Sequence, residues 1–126
     1  MMKTLDQKRA EHAWQVVQQV KQDREADKKQ FGTQAKKLPT RILAAGLGQA
    51  LAFLLAKDYA PQLQQALSNW MKERRPLKAN EDERLLVRVI HGDADFQRYA
   101  TAECLAYLQW LVRFAEAENL TDAKGD

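Results

Sequence analysis

Apolar residues recur every three or four positions along most of the chain, which predicts a series of amphipathic α-helices. The first helix begins after Thr4, whose spacing from Gln7 matches a capping box. Its apolar stripe ends at Val20, but opposite charges lie four positions apart in residues 21–30, so we expect the helix to continue there as a solvated segment. Gly32 is then predicted to cap its end. The stripe consists of Ala10, Ala13, Trp14, Val17 and Val20.

The second helix is predicted to follow a loop formed by residues 33–38. Pro39 suits the first turn of a helix, where its missing N–H costs nothing. Leu38 is expected to be extended because it precedes a proline. From there the run RILAAGLGQALAFLLAK continues the helix to about Lys57. The small residues in this run would let a neighbouring helix approach closely, so we predict a core helix.

Two other interpretations of this run fail on its length and its context. A membrane span needs about 20 apolar residues, whereas residues 42–56 include the polar Gln49 and fall short of that length. A phosphate-binding glycine loop needs a strand before the glycines and a helix that begins at them. No strand pattern precedes Gly46 and Gly48, and both are expected inside the helix. We therefore expect neither a membrane span nor a glycine-rich phosphate loop.

Two shorter helices are predicted next. Pro61 opens one of them, which ends at Arg75. Asn80 with Glu83 matches a second capping box, and Gly92 ends the helix that follows it. The predicted buried positions are Leu63, Ala66, Leu67, Trp70 and Met71 in the first helix and Leu85, Leu86, Val89 and Ile90 in the second.

The last helix is predicted over residues 94–119, with Asp93 and Asp95 at its start. These carboxylates most simply cap the helix, because two acids without further ligands make a poor magnesium site. The helix carries a second stripe that is aromatic. Stacking on nucleic-acid bases is an alternative role for such a stripe, but its acidic surroundings favour a place in the core. Its members are Tyr99, Tyr107, Trp110 and Phe114.

Composition supports the same fold class. Strong helix formers dominate, β-branched residues are sparse, and no segment alternates apolar and polar residues over the length of a strand. With 126 residues and no Gly/Ser-rich linker, the chain is expected to form one domain. We predict an all-α, compact single-domain bundle of about five to six helices over residues 1–119, followed by a flexible C-terminal tail at residues 120–126.

Charge is distributed unevenly along the chain. The net charge is +3 overall, but it is +5 over residues 1–41, +3 over residues 42–79 and −5 over residues 80–126. A basic front can attract a polyanion, and an acidic back can attract the basic front of another copy. The alternative is that these charges only solvate the surface.

Candidate catalytic chemistry is sparse. His12 and His91 lie on separate predicted helices, with no partners at metal-ligand spacing. Ser68 is the only serine, and the only cysteine, Cys104, is expected to be buried and fits a reducing compartment. The N-terminal sequence lacks the pattern of a secretory signal. We expect no catalytic residue, no metal or other cofactor, and a cytoplasmic location.

Three segments together resemble one protein family. They are TLDQKRAEHAW (4–14), KKLPTRILAAGLGQALAFLLAK (36–57) and ATAECLAYLQWLVRFAEA (100–117). They resemble the small, all-helical subunit of type III-B CRISPR effector complexes, which is the fifth subunit of the Cmr-type RNA-targeting assembly. One departure is Ala45, where a polar residue such as asparagine would be expected before Gly46.

The resemblance implies a non-catalytic role in antiviral defence. Such subunits stack as a short filament beside the backbone subunits that grip the guide RNA, and they help to hold the target RNA paired to the guide. RNA cleavage belongs to a neighbouring backbone subunit, and nucleotide cyclase activity to the large subunit. The implied partners are therefore the backbone and large subunits, further copies of the chain, and guide and target RNA.

Basic residues near the entry to the predicted second helix are the main candidates for RNA contact. Because base pairing with the guide reads the sequence in such systems, the protein's contacts are expected to go to the RNA backbone. A purely structural spacer that contacts only protein is the alternative. The candidates are Lys36, Lys37 and Arg41, then Lys8 and Arg9, with Arg98 and Arg113 as weaker choices.

Overall fold

The protein is all-α, as predicted, in a computed structural model that describes residues 2–121. Six helices and no strand occur within that range, in agreement with the expected bundle of five to six helices. The helices are Leu5–Val20 (α1), Glu25–Ala45 (α2), Leu47–Lys57 (α3), Pro61–Arg74 (α4), Leu85–His91 (α5) and Ala94–Ala117 (α6).

The boundary between the first two helices differs from the prediction. α1 starts at the predicted Thr4 capping box but ends at Val20, and α2 begins at Glu25. In the turn between them, the Asp23 carboxylate accepts a hydrogen bond of 2.9 Å from the Gln62 side chain of α4. Because this contact is tertiary, the local charge pattern gave no sign that the chain would turn here.

Gly32 does not end a helix, contrary to the prediction, but lies inside α2 and is buried. A Cβ atom at this position would lie 2.0 Å from the carbonyl oxygen of Leu120 and 2.4 Å from its carbonyl carbon. Glycine is therefore needed here because α2 crosses the backbone that follows α6 at very close range. The residue serves packing between distant segments and not capping.

The predicted loop at residues 33–38 and the predicted helix start at Pro39 are also wrong. α2 continues through both, and Leu38 is helical and buried. Proline removes one backbone hydrogen bond from a helix interior, but the apolar stripe continues across it and keeps this face of the helix in the core. The buried apolar residues of that stripe are Phe31, Ala35, Leu38 and Ile42.

The predicted second helix breaks instead at Gly46, which separates α2 from α3. Its φ of 91° and ψ of 158° lie in a region that only glycine adopts readily. Gly48 lies in the first turn of α3, where an added Cβ would meet Val89 Cγ1 at an ordinary 3.5 Å. Of the two glycines, Gly46 therefore makes a turn, whereas Gly48 faces α5.

Pro61 opens α4 and Gly92 follows α5, as predicted, but the start of α5 differs. This helix begins at Leu85 and not at the Asn80 capping box. Asn80 adopts a positive φ of 66°, and residues 75–84 form an irregular connection. The predicted box fails because a turn around Asn80 takes the place of a helical first turn.

α6 begins at the predicted cap, where the Asp93 side chain accepts a 2.8 Å hydrogen bond from the Phe96 N–H. It ends at Ala117, followed by Asn119 in the left-handed conformation (φ 62°). The Leu120 N–H then donates to the Ala115 carbonyl at 2.8 Å, which completes a Schellman motif.

The core lies between α6 and the helices packed around it, chiefly α1 and α2. Leu120, the first residue of the expected tail, is buried in this core, whereas residues 122–126 of that tail lie outside the described residues. No helix within residues 2–121 combines the length and the hydrophobicity that a membrane span requires. The largest fully buried side chains include Trp70, Tyr107, Phe31, Leu38 and Leu54.

Candidate nucleic-acid interface

A groove of about 720 Å³ runs along the surface between α2 and α6. Its floor is apolar, and its rim carries cations from both helices. Leu43 lies on the α2 side of the groove, with 75% of its surface exposed. The groove is lined by Lys36, Pro39, Leu43, Leu105, Leu108, Gln109, Trp110, Val112, Arg113 and Glu116.

Two of the predicted RNA-contacting residues meet at this groove. Lys36 of α2 and Arg113 of α6 both approach the Glu116 carboxylate, with N–O distances of 4.0 Å and 3.0 Å. The side chains of Lys36 and Arg113 are 41% and 79% exposed, so these ion pairs are solvated and weak. One carboxylate shared between two cations leaves a net positive charge at the rim.

Lys37 and Arg41 lie four residues apart and so share one side of α2. Lys37 is exposed and makes no ion pair within residues 2–121. Arg41 is partly buried, donates a 2.6 Å hydrogen bond to the Gln34 side chain, and has its guanidinium carbon 4.3 Å from the centroid of the Phe53 ring. Arg41 is thus held in place by its neighbours, whereas Lys37 is available to a ligand.

Lys8 is exposed on α1 with no ion pair in the part of the chain that the structure describes, but the next residue is engaged in the fold. Arg9 donates two hydrogen bonds to the buried Glu103 carboxylate of α6, at 2.6 Å and 3.0 Å, and a third to Asp6 at 3.1 Å. The hydrogen bond with Glu103 is the main reason why the pKa of Arg9 is raised above its usual value.

Glu103 is the most deeply buried carboxylate among residues 2–121. It also accepts a 2.9 Å hydrogen bond from the indole N–H of Trp70. Burial by itself would raise the pKa of Glu103, but the hydrogen bonds from Arg9 and Trp70 outweigh burial and hold this pKa below its usual value. Glu103 therefore stays charged in the folded protein and anchors Arg9.

Arg98 lies apart from the groove. It is exposed in the first turns of α6 and pairs with Asp95 three residues earlier. A helix rises about 1.5 Å per residue, so Arg98 and Arg113 are about 22 Å apart along α6. The seven predicted RNA-contacting residues thus do not form one patch, and only Lys36 and Arg113 line the same groove.

Of the other titratable candidates, Cys104 is buried in the core and His12 lies at its edge, whereas His91 is exposed at the end of α5. His12 is half-buried, its Nδ1 lies 2.7 Å from the Tyr107 hydroxyl, and its Nε2 lies 3.4 Å from Glu73. Burial lowers the pKa of His12 and raises the pKa of the Cys104 thiol to about 12, so Cys104 remains protonated. No group of three or more potential ligands from His, Cys, Asp and Glu occurs within residues 2–121.

The aromatic stripe of α6 belongs to the core or its edge, as expected. Tyr107 is fully buried and stacks on Trp70 with a centroid distance of 5.5 Å. Tyr99, Trp110 and Phe114 are partly buried against the core. Trp110 also lines the groove, where its indole N–H donates to Asp6 at 3.0 Å.

Glu116 is part of this site but was not among the residues predicted from the sequence. Its only signal was a spacing of three residues from Arg113, which allows a pair on one helix face. The approach of Lys36 from α2 depends on how two helices pack. The shared carboxylate therefore became apparent only in the folded structure.

Comparison with known protein families matches residues 5–118 to the family described as CRISPR-associated protein (Cas_Cmr5). This match spans all six helices and agrees with the resemblance of the three segments described above. The chain therefore belongs to the Cas_Cmr5 family, the small subunits of type III-B CRISPR complexes.

Proposed function

We propose that the chain is a non-catalytic, RNA-binding subunit of a type III-B CRISPR ribonucleoprotein. In this proposal, copies stack as a short filament that helps to hold the guide–target RNA duplex in antiviral defence. Family membership supports a place in the complex. The observation that carries the RNA contact is the meeting of Lys36 and Arg113 over one shared carboxylate at the rim of the α2–α6 groove.

The chemistry at this rim suits phosphate groups. The ion pairs of Lys36 and Arg113 with Glu116 are weak and solvated, so a phosphate can replace the carboxylate at little cost. Lys37 adds a further exposed cation on the same helix. Contacts of this kind position a nucleic acid without reading its sequence, which is what a subunit beside a guide-directed duplex requires.

The other predicted residues differ in how free they are to contact RNA. Lys8 is unpaired within the described range and could approach a phosphate directly. Arg98 would have to exchange Asp95 for a phosphate, and Arg41 would have to leave Gln34. Arg9 is the weakest candidate, because its departure would leave the buried Glu103 carboxylate without its cation.

Stacking of copies rests on family membership in this proposal. The charge pattern of the sequence does not support it by itself, because α6, from the acidic back of the sequence, packs on α1 and α2, from its basic front, within one molecule. A heterologous interface between copies extends into a filament unless its rotation closes a ring. The backbone and large subunits of the complex are the other proposed partners.

Ultraviolet crosslinking tests the RNA contact against the alternative of a spacer that touches only protein. A reconstituted complex with labelled target RNA would be irradiated, and the crosslinked peptides of this subunit would be mapped. We expect crosslinks within residues 36–37 and near Arg113. Efficient crosslinks to the backbone subunits with none to this subunit would favour the spacer.

A further inference from the structure

Helix α5 turns its arginine inward and its aliphatic residues outward. Arg88 has only 6% of its surface exposed, whereas Ile90, which was predicted to be buried, is 63% exposed. Leu86 and Val87 are partly exposed on the same side of the helix. A helix that faces water normally has the reverse arrangement, because burial of apolar side chains is favourable and burial of a charge is costly. The outer side of α5 is thus suited to being covered, and no part of residues 2–121 covers it.

The outward aliphatic residues of α5 border a pocket of about 260 Å³ between α3, α4 and α5. Leu51 and Leu85 in its wall are almost completely buried, whereas Leu55 is 57% exposed. Ile90 lies one turn beyond Leu86 and extends this apolar surface. A cavity of about 150 Å³ already holds benzene, so the pocket has room for one large aliphatic or aromatic side chain. The α5 face consists of this pocket together with Leu55, Leu86, Val87 and Ile90.

Carboxamide side chains lie along the α4 side of the pocket. The Gln64 amide is engaged in the fold, because it donates a 3.0 Å hydrogen bond to the Tyr59 carbonyl. Gln65 and Asn69 also line the pocket, but their side chains make no hydrogen bond within residues 2–121. A carboxamide carries both donors and acceptors. These two side chains can therefore bind the backbone of a docked segment whose apolar side chain occupies the pocket.

Charge is sparse in this part of the chain. Lys57 and Asp58 are the only charged residues between positions 42 and 71, although 29% of the whole chain is charged. Glu83 and Arg84 lie at the edge of the pocket with opposite charges, and each has an ion-pair partner outside the pocket. Nucleic acids are held by cations that neutralise their phosphates, so RNA is a poor ligand for the α5 face. The core of a protein–protein interface, by contrast, is depleted of charge in the same way.

We infer that the α5 face docks another protein subunit of the complex, which inserts one large apolar side chain into the pocket and bonds its main chain to Gln65 and Asn69. Family membership supports the presence of such subunits beside this chain. A second copy of this chain is a less suitable occupant. A stable dimer buries about 800 Å² per partner, and four aliphatic side chains around one pocket fall well short of that area. The α5 face therefore suits a partner that other contacts in the complex also hold in place.

The α5 face is separate from the α2–α6 groove. The groove is lined by residues of α2 and α6, whereas the pocket is lined by residues of α3, α4, α5 and the end of the connection before α5. The two sites share no residue. The inference therefore depends on membership of the family, and not on the RNA contact or the stacking of copies in the proposed function.

Lysine substitutions on the α5 face test the docking, because they place an unpaired charge in an interface that lacks one. The Ile90→Lys and Leu55→Lys variants would be titrated against an assembly of the backbone and large subunits purified without RNA, with binding measured by biolayer interferometry. Both side chains are exposed in the free chain, so the variants should keep the circular dichroism spectrum of the wild type. We expect the affinity for the assembly to fall by at least about tenfold.

Ala102→Lys is the matched control, since it adds the same charge at an exposed apolar position of α6, and it should bind the assembly like the wild type. Ile90→Leu should also retain binding, because leucine is apolar and of the same size. The titration contains no RNA, so its result is independent of the proposed RNA contact.

Unchanged affinity in both lysine variants of the α5 face, or an equal loss in Ala102→Lys, would overturn the inference. Sedimentation of the isolated chain tests a second copy as the occupant. We expect the wild type and Ile90→Lys to sediment alike as monomers. A dimer that Ile90→Lys abolishes would assign the α5 face to another copy of the chain and would also overturn the inference.

Discussion

Arg9 of α1 and Glu103 of α6, which are 94 residues apart in sequence, are joined by two hydrogen bonds at 2.6 Å and 3.0 Å. The guanidinium of α1 thus neutralises a carboxylate that is almost completely buried on α6. Trp70 of α4 donates a third hydrogen bond to the same carboxylate. One polar centre therefore fixes the relative positions of three helices.

Removal of the cation from this centre should be strongly destabilising. Arg9→Met leaves Glu103 buried and uncompensated, so we expect a loss of about 3 kcal/mol in the free energy of unfolding, measured by urea denaturation. The double variant Arg9→Met/Glu103→Gln should recover much of this loss, because glutamine is neutral and still accepts from Trp70. Lys8→Met, an exposed neighbour, serves as the control. If Arg9→Met lowered the free energy of unfolding as little as Lys8→Met does, the ion pair between Arg9 and Glu103 would have no structural role.

His12 should make the stability depend on pH in the mildly acidic range. Burial lowers its pKa in the folded state below the ordinary value of 6.5, although the nearby Glu73 partly opposes this effect. The unfolded chain therefore binds a proton first, so the contribution of neutral His12 is complete above about pH 6.5 and declines as the pH falls below it. We expect a lower free energy of unfolding at pH 5.5 than at pH 7.5.

The control for this pH effect is a pair of histidine variants. His12→Gln should flatten the difference between pH 7.5 and pH 5.5, while His91→Gln should retain it. Glu103 does not interfere with this test. Because its pKa in the folded protein is lower than its ordinary value of 4.5, its contribution to stability is complete above about pH 4.5 and is lost only as the pH falls below that value. An undiminished pH difference in His12→Gln would contradict the assignment.

Gly32 and Gly48 should respond in opposite ways to alanine. In Gly32→Ala, the new methyl group overlaps the Leu120 backbone, which cannot move without disturbing the end of α6, so we expect a loss of about 3 kcal/mol. In Gly48→Ala, the methyl group meets only Val89 at 3.5 Å, and the better helix propensity of alanine should raise stability by up to about 1 kcal/mol. Similar effects of the two substitutions on thermal unfolding would contradict the close approach of α2 to the Leu120 backbone at Gly32.

The sequence predicted the number of helices, but several of their boundaries depend on packing. Pro61 and Asp93 act through local chemistry, and both open helices as predicted. Gly32 and Pro39 carry local stop and start signals, but contacts between distant segments override both of them. A local propensity of about 1 kcal/mol for glycine is small beside a buried helix face.

The candidate site was predictable only in part, for the same reason. Lys36 and Arg113 were both chosen for their charge, but only the packing of α2 on α6 brings them to one carboxylate. Arg9 was chosen on the same basis, and its buried partner on α6 could not be inferred from the sequence. Charge alone therefore identifies cations, and the fold decides which of them are free.

The salt dependence of RNA binding tests the central claim most directly. In a reconstituted complex, Lys36→Glu/Lys37→Glu should weaken target RNA binding equally for different guide–target pairs, and should lower the slope of log affinity against log salt by about 1–2. Lys29→Glu, at another exposed lysine of α2, should leave both quantities close to wild type. The account would be contradicted if the double variant bound RNA with the affinity and the salt slope of the wild type.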